Sequence, residues 1–291
     1  MGGGLATGDT GTEPGQAWQT EGELARGRSG FFVTGQCDPR GYWQDSFVPN
    51  PSLPADRPRS RPQVMAHRGA SRAEPENTVA AFRAAAAMGA DAVELDVRRT
   101  ADGVLVVHHD PRLADGRAII ETRAADLPLH VPHLGEALDA CAPLWVNVEI
   151  KNDPNEPDFD AHDSIADATI DLLAARDEGD EHWLISSFRR ETVDRCRAVR
   201  PGIATAWLVT LLDPATRDAT LDRLVADGHT ALHPWVGGVD IGLLEQCASR
   251  GLAVNTWTCD DPDRMRELVA WGVDGICTNL PDVALAVRAA S

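Results

Sequence analysis

Short apolar stretches alternate with longer amphipathic stretches from residue 63 to the end of the chain. Apolar runs bounded by turn-forming residues indicate buried strands, and their alternation with helical stretches predicts a parallel α/β architecture. The predicted strands are 64–66, 92–97, 104–109, 144–150, 183–186, 204–209, 231–233, 253–257 and 275–278. The predicted helices are 78–88, 135–141, 164–175, 191–199, 221–226, 241–250 and 262–271. The first of these helices is predicted to have Asn77 as its N-cap and Gly89 beyond its end.

The nine predicted strands exceed by one the eight strands of a TIM-type barrel. The sequence RRTADG between strands 92–97 and 104–109 is too short to hold a helix. We therefore predict an α/β fold, a TIM-type (β/α)8 barrel, with a short hairpin-like irregularity near residues 92–110. The predicted barrel domain covers residues 63–291.

Residues 1–62 have no sustained helical or strand periodicity and are rich in glycine, serine and proline. Such a composition is typical of a disordered extension, which is the prediction for this segment. The alternative is a segment that docks on the barrel or on a partner.

Two of the predicted strands carry polar side chains at alternate positions. In VELDV, Glu94 and Asp96 share one face, and in VNVEIK, Asn147, Glu149 and Lys151 do so. In a barrel the apolar face packs on the helices, so we expect the carboxylates to lie inside, near the carboxyl-terminal mouth. Converging carboxylates repel one another unless a cation lies among them, and hard oxygen ligands suit Mg²⁺ or Ca²⁺. The alternative is pairing of the carboxylates with arginines or with Lys151.

Two histidines are predicted to end strands at the same mouth. His67 ends the first strand and His109 ends the third. Histidines have an unperturbed pKa near 6.5, so one can act as base and the other as acid. His108 is expected on the opposite strand face from His109, which favours a structural role for it.

The residues after His67 suggest an anion contact. Arg68 offers a planar fork that suits phosphate, with a salt bridge to Glu74 or Glu76 as the alternative. Gly69 would allow close approach of backbone or ligand. Glu76 precedes the predicted helix start, where it is either a helix-start anion or a group near the metal.

Further candidates lie at the ends of later strands. Trp257 shares a face with Asn255 in VNTWT and is interpreted as a wall of a small-ligand pocket or as core packing. Phe188 and His233 also lie at strand ends and are secondary candidates.

The composition narrows the class of partner. Apolar residues make up 43% of the chain and charged residues 25%, which is typical of a globular protein. The net charge of −18 disfavours nucleic acid and anionic lipid surfaces as partners, and an anionic substrate would need local cations such as a metal ion. The six scattered cysteines, without a CxxC pair, and the absence of a signal-peptide pattern predict a cytoplasmic protein. No stable membrane association is expected, and the sequence leaves the oligomeric state open.

In this order, the motifs AHRG, PENTxxAF, GADxxELDV, DGxxVVxHD, VEIK, SSF, LHP, NTWT and VDGICTNLP resemble the glycerophosphodiester phosphodiesterase family of phospholipase-C-like barrels. The resemblance covers roughly residues 63–288. It implies that His67 and His109 are the acid/base pair and that Glu94, Asp96 and Glu149 bind one divalent cation. It also implies that Arg68 and Lys151, the one lysine of the chain, contact phosphate. Trp257 would belong to the glycerol side of the pocket.

The resemblance therefore implies metal-dependent hydrolysis of a small phosphodiester to sn-glycerol 3-phosphate and an alcohol. An alternative is a lysophospholipase D or a cyclising phospholipase that acts on acylated diesters with the same groups. A glycoside hydrolase that uses a carboxylate pair would retain its activity on chelation. A barrel that only binds phosphorylated metabolites is disfavoured by the intact set of histidines and carboxylates.

Overall fold

Nine strands form one hydrogen-bonded sheet in the computed structural model, which describes residue 1 and residues 61–291. They are β1 (Gln63–His67), β2 (Ala92–Arg99), β3 (Leu105–Val107), β4 (Trp145–Ile150), β5 (Trp183–Ser187), β6 (Ala204–Val209), β7 (Ala231–Pro234), β8 (Ala253–Thr256) and β9 (Gly275–Thr278). Strand β1 pairs in parallel with both β9 and β2, which closes eight parallel strands into a barrel. Strand β3 pairs antiparallel with β2, outside the closed ring. The predicted barrel and its irregularity are confirmed.

Helices follow the barrel strands in the described part of the chain. They are α1 (Val79–Met88), α2 (Leu134–Cys141), α3 (Ser164–Ala174), α4 (Arg190–Val199), α5 (Arg217–Ala226), α6 (Ile241–Ala248), α7 (Pro262–Trp271) and α8 (Pro281–Ala290). Short 3-10 turns cover Ile119–Glu121, Ala124–Asp126, Asp180–His182 and Val236–Gly238. The sequence analysis missed α8, which two residues separate from β9 and which has Pro281 in its first turn.

The start of α1 differs from the prediction by one residue. The N-cap is Thr78, whose backbone is extended and whose Oγ1 accepts a hydrogen bond from the Ala81 amide at 3.2 Å. Asn77 has a left-handed backbone (φ 56°), and its Nδ2 donates to Asp96 Oδ2 at 2.7 Å. Both residue types cap helices well, and the bond to the buried Asp96 carboxylate decides which of them does so here.

The interior of the barrel is apolar in its lower part and polar at its mouth. The lower inward-facing side chains form a buried cluster of Met65, Ala92, Trp145, Leu184, Ala204, Ala206, Ala231 and Cys277. Outward-facing side chains such as Val93, Leu95 and Val148 pack with buried residues of the helices. The period of two in the strands therefore separates a helix-facing core from inward positions that become polar toward the carboxyl-terminal ends.

The predicted extension over residues 1–62 lies almost entirely outside the described residues and stays a prediction. The cysteines of the described region (141, 196, 247, 259 and 277) are buried. Across residues 61–291, we find no helix with both the length and the apolarity needed to cross a bilayer.

Candidate active site

Strand register brings the three predicted carboxylates together. Asp96 of β2 pairs with Glu149 of β4, and Glu94 pairs with Asn147 of β4 on one side and with His67 of β1 on the other. One carboxylate oxygen from each of the three acids lies within 4.8 Å of the others, and all three residues are buried. The alternation of polar residues in the two sequence motifs therefore does place their carboxylates on one inner surface.

Two cations border this carboxylate cluster. The Lys151 Nζ atom lies 2.6 Å from Glu149 Oε1 and 3.1 Å from Asp96 Oδ1. Arg68 Nε lies 3.4 Å from Asp96 Oδ2, and the Arg68 backbone amide donates to Glu94 Oε2 at 2.9 Å. Two positively charged side chains thus face three carboxyl groups, so the cluster has a net negative charge when all three carboxyl groups are ionised.

The pKa values of the three acids reflect this arrangement. Burial, followed by the charges of Asp96 and Glu149, raises the pKa of Glu94 well above its usual range. Burial also raises the pKa of Glu149, against the opposing effect of Lys151. Burial acts in the same direction on Asp96, but the charges of Lys151 and Arg68 outweigh it and lower the pKa of that carboxyl. An added positive charge beside Glu94 and Glu149 would favour their ionised forms.

The oxygen atoms available here fit a divalent cation. Glu94 Oε1 and Asn147 Oδ1 are buried and have no hydrogen-bond partner among the described residues. Buried acceptors without a partner are costly, and a cation bound to them would remove that cost. The donors are hard oxygens, which suit Mg²⁺ or Ca²⁺.

The turn after β1 is held in a strained conformation. Arg68 has a positive φ of 58°, and its Nη1 donates to Glu76 Oε1 at 2.9 Å. Gly69 has a φ of 81°, and a Cβ there would lie 2.6 Å from the carbonyl carbon of Ala81 in α1. The close approach that requires this glycine is therefore made by α1, and Glu76 orients Arg68 from outside the carboxylate cluster.

The two candidate histidines lie at this mouth in different settings. His67 Nδ1 lies 2.8 Å from Asn279 Oδ1, and its Nε2 lies 3.9 Å from Glu94 Oε2. His109 Nδ1 lies 2.7 Å from Asp110 Oδ1. The prediction that His109 ends a strand is wrong, because β3 ends at Val107 and His109 follows in a bend.

Arg98 holds the bend that carries His109. This arginine is 1% exposed, and its Nε and Nη2 donate to the His109 carbonyl oxygen at 2.8 and 2.5 Å. Its Nη1 donates to Glu156 and Asp158 of the β4–α3 loop at 2.8 and 2.6 Å. The sequence analysis missed this residue, although continuing the alternation of Glu94 and Asp96 by two positions identifies it.

Neutral and aromatic side chains form the other side of the mouth. Trp257 follows β8, and its Nε1 donates to the His233 carbonyl oxygen at 2.8 Å. Its ring meets that of Phe188 edge to face, with centroids 5.2 Å apart, and Trp207 Nε1 donates to the Phe188 carbonyl oxygen. His233 contacts Asn255 through its Nε2 at 2.9 Å, and burial lowers the pKa of His233 to about 3.

An open cavity with an empty volume of about 320 Å³ joins the two sides. Its lining consists of Met65, His67, Glu94, Asn147, Glu149, Leu208, His233, Asn255, Trp257 and Cys277. Arg68, Asp96 and Lys151 adjoin the cavity through their contacts with the lining carboxylates. Phe188 and His109 lie outside the lining; Phe188 packs on Trp257, and the charge of protonated His109 acts on Asp96 and Glu149.

Comparison with known proteins identifies the relatives of this chain. The sequence profile of the glycerophosphoryl diester phosphodiesterase family matches residues 67–283. A probable glycerophosphodiester phosphodiesterase 2 of Mycobacterium tuberculosis is 31% identical over 247 residues, which cover 76% of this chain and 88% of that protein. A glycerophosphodiester phosphodiesterase of Caldanaerobacter subterraneus is 29% identical over 76% of this chain and 96% of its own length.

A solved structure has the same fold. It is that of an Oleispira antarctica phosphodiesterase in complex with the product sn-glycerol-3-phosphate, and it matches with a TM-score of 0.69 and 25% identity. The match covers 78% of this chain and 96% of that one. Together these findings confirm the barrel and the resemblance that the sequence motifs indicated.

Proposed function

Because this chain belongs to the glycerophosphoryl diester phosphodiesterase family, we propose that it hydrolyses glycerophosphodiesters to sn-glycerol 3-phosphate and an alcohol. The observation that carries this proposal is the convergence of three buried carboxylates beside two histidines at one barrel mouth. The product bound to the Oleispira antarctica relative supports a small phosphorylated ligand for this fold.

The carboxylate cluster is assigned to cation binding. Glu94, Asp96 and Glu149 would hold one divalent cation, Mg²⁺ or Ca²⁺, which when bound supplies positive charge to the phosphoryl oxygens. Arg68 and Lys151 lie at the edge of the cluster, where they contact the same phosphate group. Their charges offset the negative charge that grows on its oxygens as the diester reacts.

The two histidines are assigned to proton transfer. The oxygen of a water molecule, or of a glycerol hydroxyl of the substrate, bonds to phosphorus while the bond from phosphorus to the alcohol oxygen breaks. One histidine accepts the proton of the attacking hydroxyl, and the other gives a proton to the departing alcohol. If the glycerol hydroxyl attacks first, water then opens the cyclic phosphate and the two histidines exchange roles.

The neutral side of the mouth is assigned to the glycerol part of the substrate. Trp257 supplies an apolar wall, with Phe188 packed against its ring and His233 behind it.

A second candidate function has one observation in its favour. Leu211, Trp235 and Phe188 are large apolar residues that are 65%, 42% and 43% exposed, and they follow β6, β7 and β5. Exposed apolar side chains at the mouth would suit an acyl chain, as in a lysophospholipase D.

Hydrolysis assays on matched substrates separate the two functions. Purified protein is given glycerophosphocholine, glycerophosphoethanolamine or lysophosphatidylcholine, each with Mg²⁺, with Ca²⁺ or with EDTA. We expect release of glycerol 3-phosphate from the deacylated diesters, with turnover abolished by EDTA. Turnover of lysophosphatidylcholine alone would support the second function, and turnover unaffected by chelation would contradict the proposed cation.

We further propose a cytoplasmic location, for which the buried, free Cys141, Cys196, Cys259 and Cys277 are the support, since reduced cysteines are usual in that compartment. Cell fractionation with an antibody against the chain tests this location.

A further inference from the structure

We propose that Asn279, held by Asp260, is a positioning residue that fixes His67 as the tautomer with its proton on Nδ1, so that His67 begins the reaction as the base. This inference rests on the proposed function for the identity of the reaction. The arrangement of the hydrogen bonds carries it.

Asp260 decides which way the Asn279 amide points. Asn279 Nδ2 lies 2.7 Å from Asp260 Oδ2, and the Asn279 backbone amide donates to Asp260 Oδ1 at 2.8 Å. The Thr278 hydroxyl donates to the same Oδ1 atom at 2.9 Å. A carboxylate that receives these donors only accepts, so the Asn279 nitrogen must face Asp260 and its oxygen must face away.

The amide oxygen then decides the tautomer of His67. Asn279 Oδ1 lies 2.8 Å from His67 Nδ1 and also accepts from the Ser71 hydroxyl at 2.8 Å. An amide oxygen only accepts, so Nδ1 of the imidazole must carry the proton. In a neutral imidazole the other nitrogen, Nε2, is then unprotonated and has a free lone pair. Nε2 lies 3.9 Å from Oε2 of Glu94, which lines the same cavity as His67.

This arrangement gives the two histidines different roles in proton transfer. With Nδ1 already protonated, His67 can take the proton of the attacking hydroxyl at Nε2. His67 Nε2 lies 3.9 Å from Glu94 Oε2, which is too long for a hydrogen bond that would bind a proton on that nitrogen. His109 must then supply the proton that the departing alcohol needs. The order of roles that the sequence left open follows from these contacts.

The tautomer is tested directly by nitrogen NMR on protein labelled with ¹⁵N-histidine, at about pH 9, where histidines of ordinary pKa are neutral. The His67 signals are identified by their loss in His67→Ala. We expect Nδ1 protonated and Nε2 unprotonated in the wild-type protein. In Asp260→Asn the new amide group would turn the Asn279 nitrogen toward His67, so we expect the proton to move to Nε2.

Kinetics tests the consequence for catalysis. We expect Asn279→Ala and Asp260→Asn to lower kcat about 10- to 1000-fold, because a wrongly placed histidine proton impairs the transfer, with KM changed by less than about threefold. Ser71→Ala removes the other hydrogen bond to the same Asn279 oxygen and should leave kcat within about twofold. If Asn279→Ala fails to fold, the near-isosteric Asp260→Asn variant carries the test.

A wild-type His67 protonated on Nε2, or variants with unchanged kcat, would overturn the inference. The NMR result is independent of turnover. An inactive wild-type protein with the expected tautomer would therefore contradict the proposed function while leaving the positioning role intact.

Discussion

The two sides of the barrel mouth are both built on parallel strands, but these strands carry side chains of different chemistry. The side built from β1, β2 and β4 carries three carboxylates and two cations in mutual contact. The side built from β5 to β8 carries aromatic and neutral polar side chains. A phosphodiester has the same division, with one charged phosphate and neutral groups on either side. The comparison therefore assigns the chemistry to the charged side and the fit of the substrate to the neutral side.

Burial shifts pKa values in opposite directions on the two sides, because it disfavours the charged form of an acid and of a base alike. On the charged side it raises the pKa of Glu94, and nearby cations compensate for the loss of hydration. On the neutral side it lowers the pKa of His233, with no charged group contributing to that shift. A buried histidine without a charged partner stays neutral and can serve only in packing and hydrogen bonding at ordinary pH.

Removing either histidine of the charged side should have the largest effect. We expect His67→Ala and His109→Ala each to lower kcat about 10²- to 10⁴-fold, the usual contribution of general acid–base catalysis. Initial rates of glycerol 3-phosphate release measure this. His108→Ala is the matched control, because His108 contacts the Asp110 backbone and is not assigned to proton transfer. Near-normal turnover of either variant would remove that histidine from the mechanism.

His233, on the neutral side, should make the free energy of unfolding decrease as the pH falls. An unfolded chain protonates His233 near pH 6.5, whereas the folded chain does so near its lowered pKa of about 3. Between these values the unfolded state binds more protons, so stability falls as the pH falls. The expected loss attributable to His233 is about 2 kcal/mol between about pH 6.5 and about pH 4.5.

Denaturant unfolding of wild-type protein and His233→Gln at several pH values, in EDTA, isolates this contribution. The variant should lose less stability than the wild type over that range. Parallel pH profiles for the two proteins would show that His233 is not held neutral by burial.

The conformation of the bend that carries His109 should depend on the hydrogen bonds that the Arg98 guanidinium group donates. Arg98→Lys keeps the charge but cannot donate to the His109 carbonyl and to the β4–α3 loop at once, so we expect kcat to fall about tenfold. Arg99→Lys is the control, because Arg99 bonds Ser164 and lies away from His109. Equal rates for both variants would mean that the bend holds its shape without Arg98.

The neutral side should affect affinity more than rate. Trp257→Leu reduces the apolar wall while leaving the histidines and carboxylates in place. We expect KM for glycerophosphocholine to rise about fivefold with kcat within about twofold, since contacts made equally in the ground and transition states change KM alone. A large fall in kcat with unchanged KM would instead assign Trp257 to the reacting groups.

The sequence predicted the carboxylates of the charged side better than the residues that hold the site residues in position. Alternation in VELDV and VNVEIK was enough to bring Glu94, Asp96 and Glu149 together, because a strand leaves each side chain only two directions. Asn279 and Asp260 were not identified as functional, since their role depends on contacts between the ends of different strands. The Asn77 side chain was likewise assigned to a helix cap, while in the fold it bonds Asp96.

Loop geometry set a second limit. His109 was placed at the end of a strand, but β3 ends at Val107 and His109 follows in a bend. The bend that follows is held by Arg98, whose partners Glu156 and Asp158 are about sixty residues away in sequence. No local sequence pattern predicts contacts between residues so far apart along the chain. The position of a catalytic group on a loop therefore had to come from the structure.

The most direct test of the whole account is hydrolysis of glycerophosphocholine by purified protein that has been stripped with EDTA and then titrated with Mg²⁺ or Ca²⁺. The account predicts no turnover in the stripped protein, recovery of glycerol 3-phosphate release with one of the two ions, and loss of that recovery in Glu94→Gln. Full turnover in EDTA, or recovery unchanged in Glu94→Gln, would contradict the assignment of the carboxylate cluster to a catalytic cation.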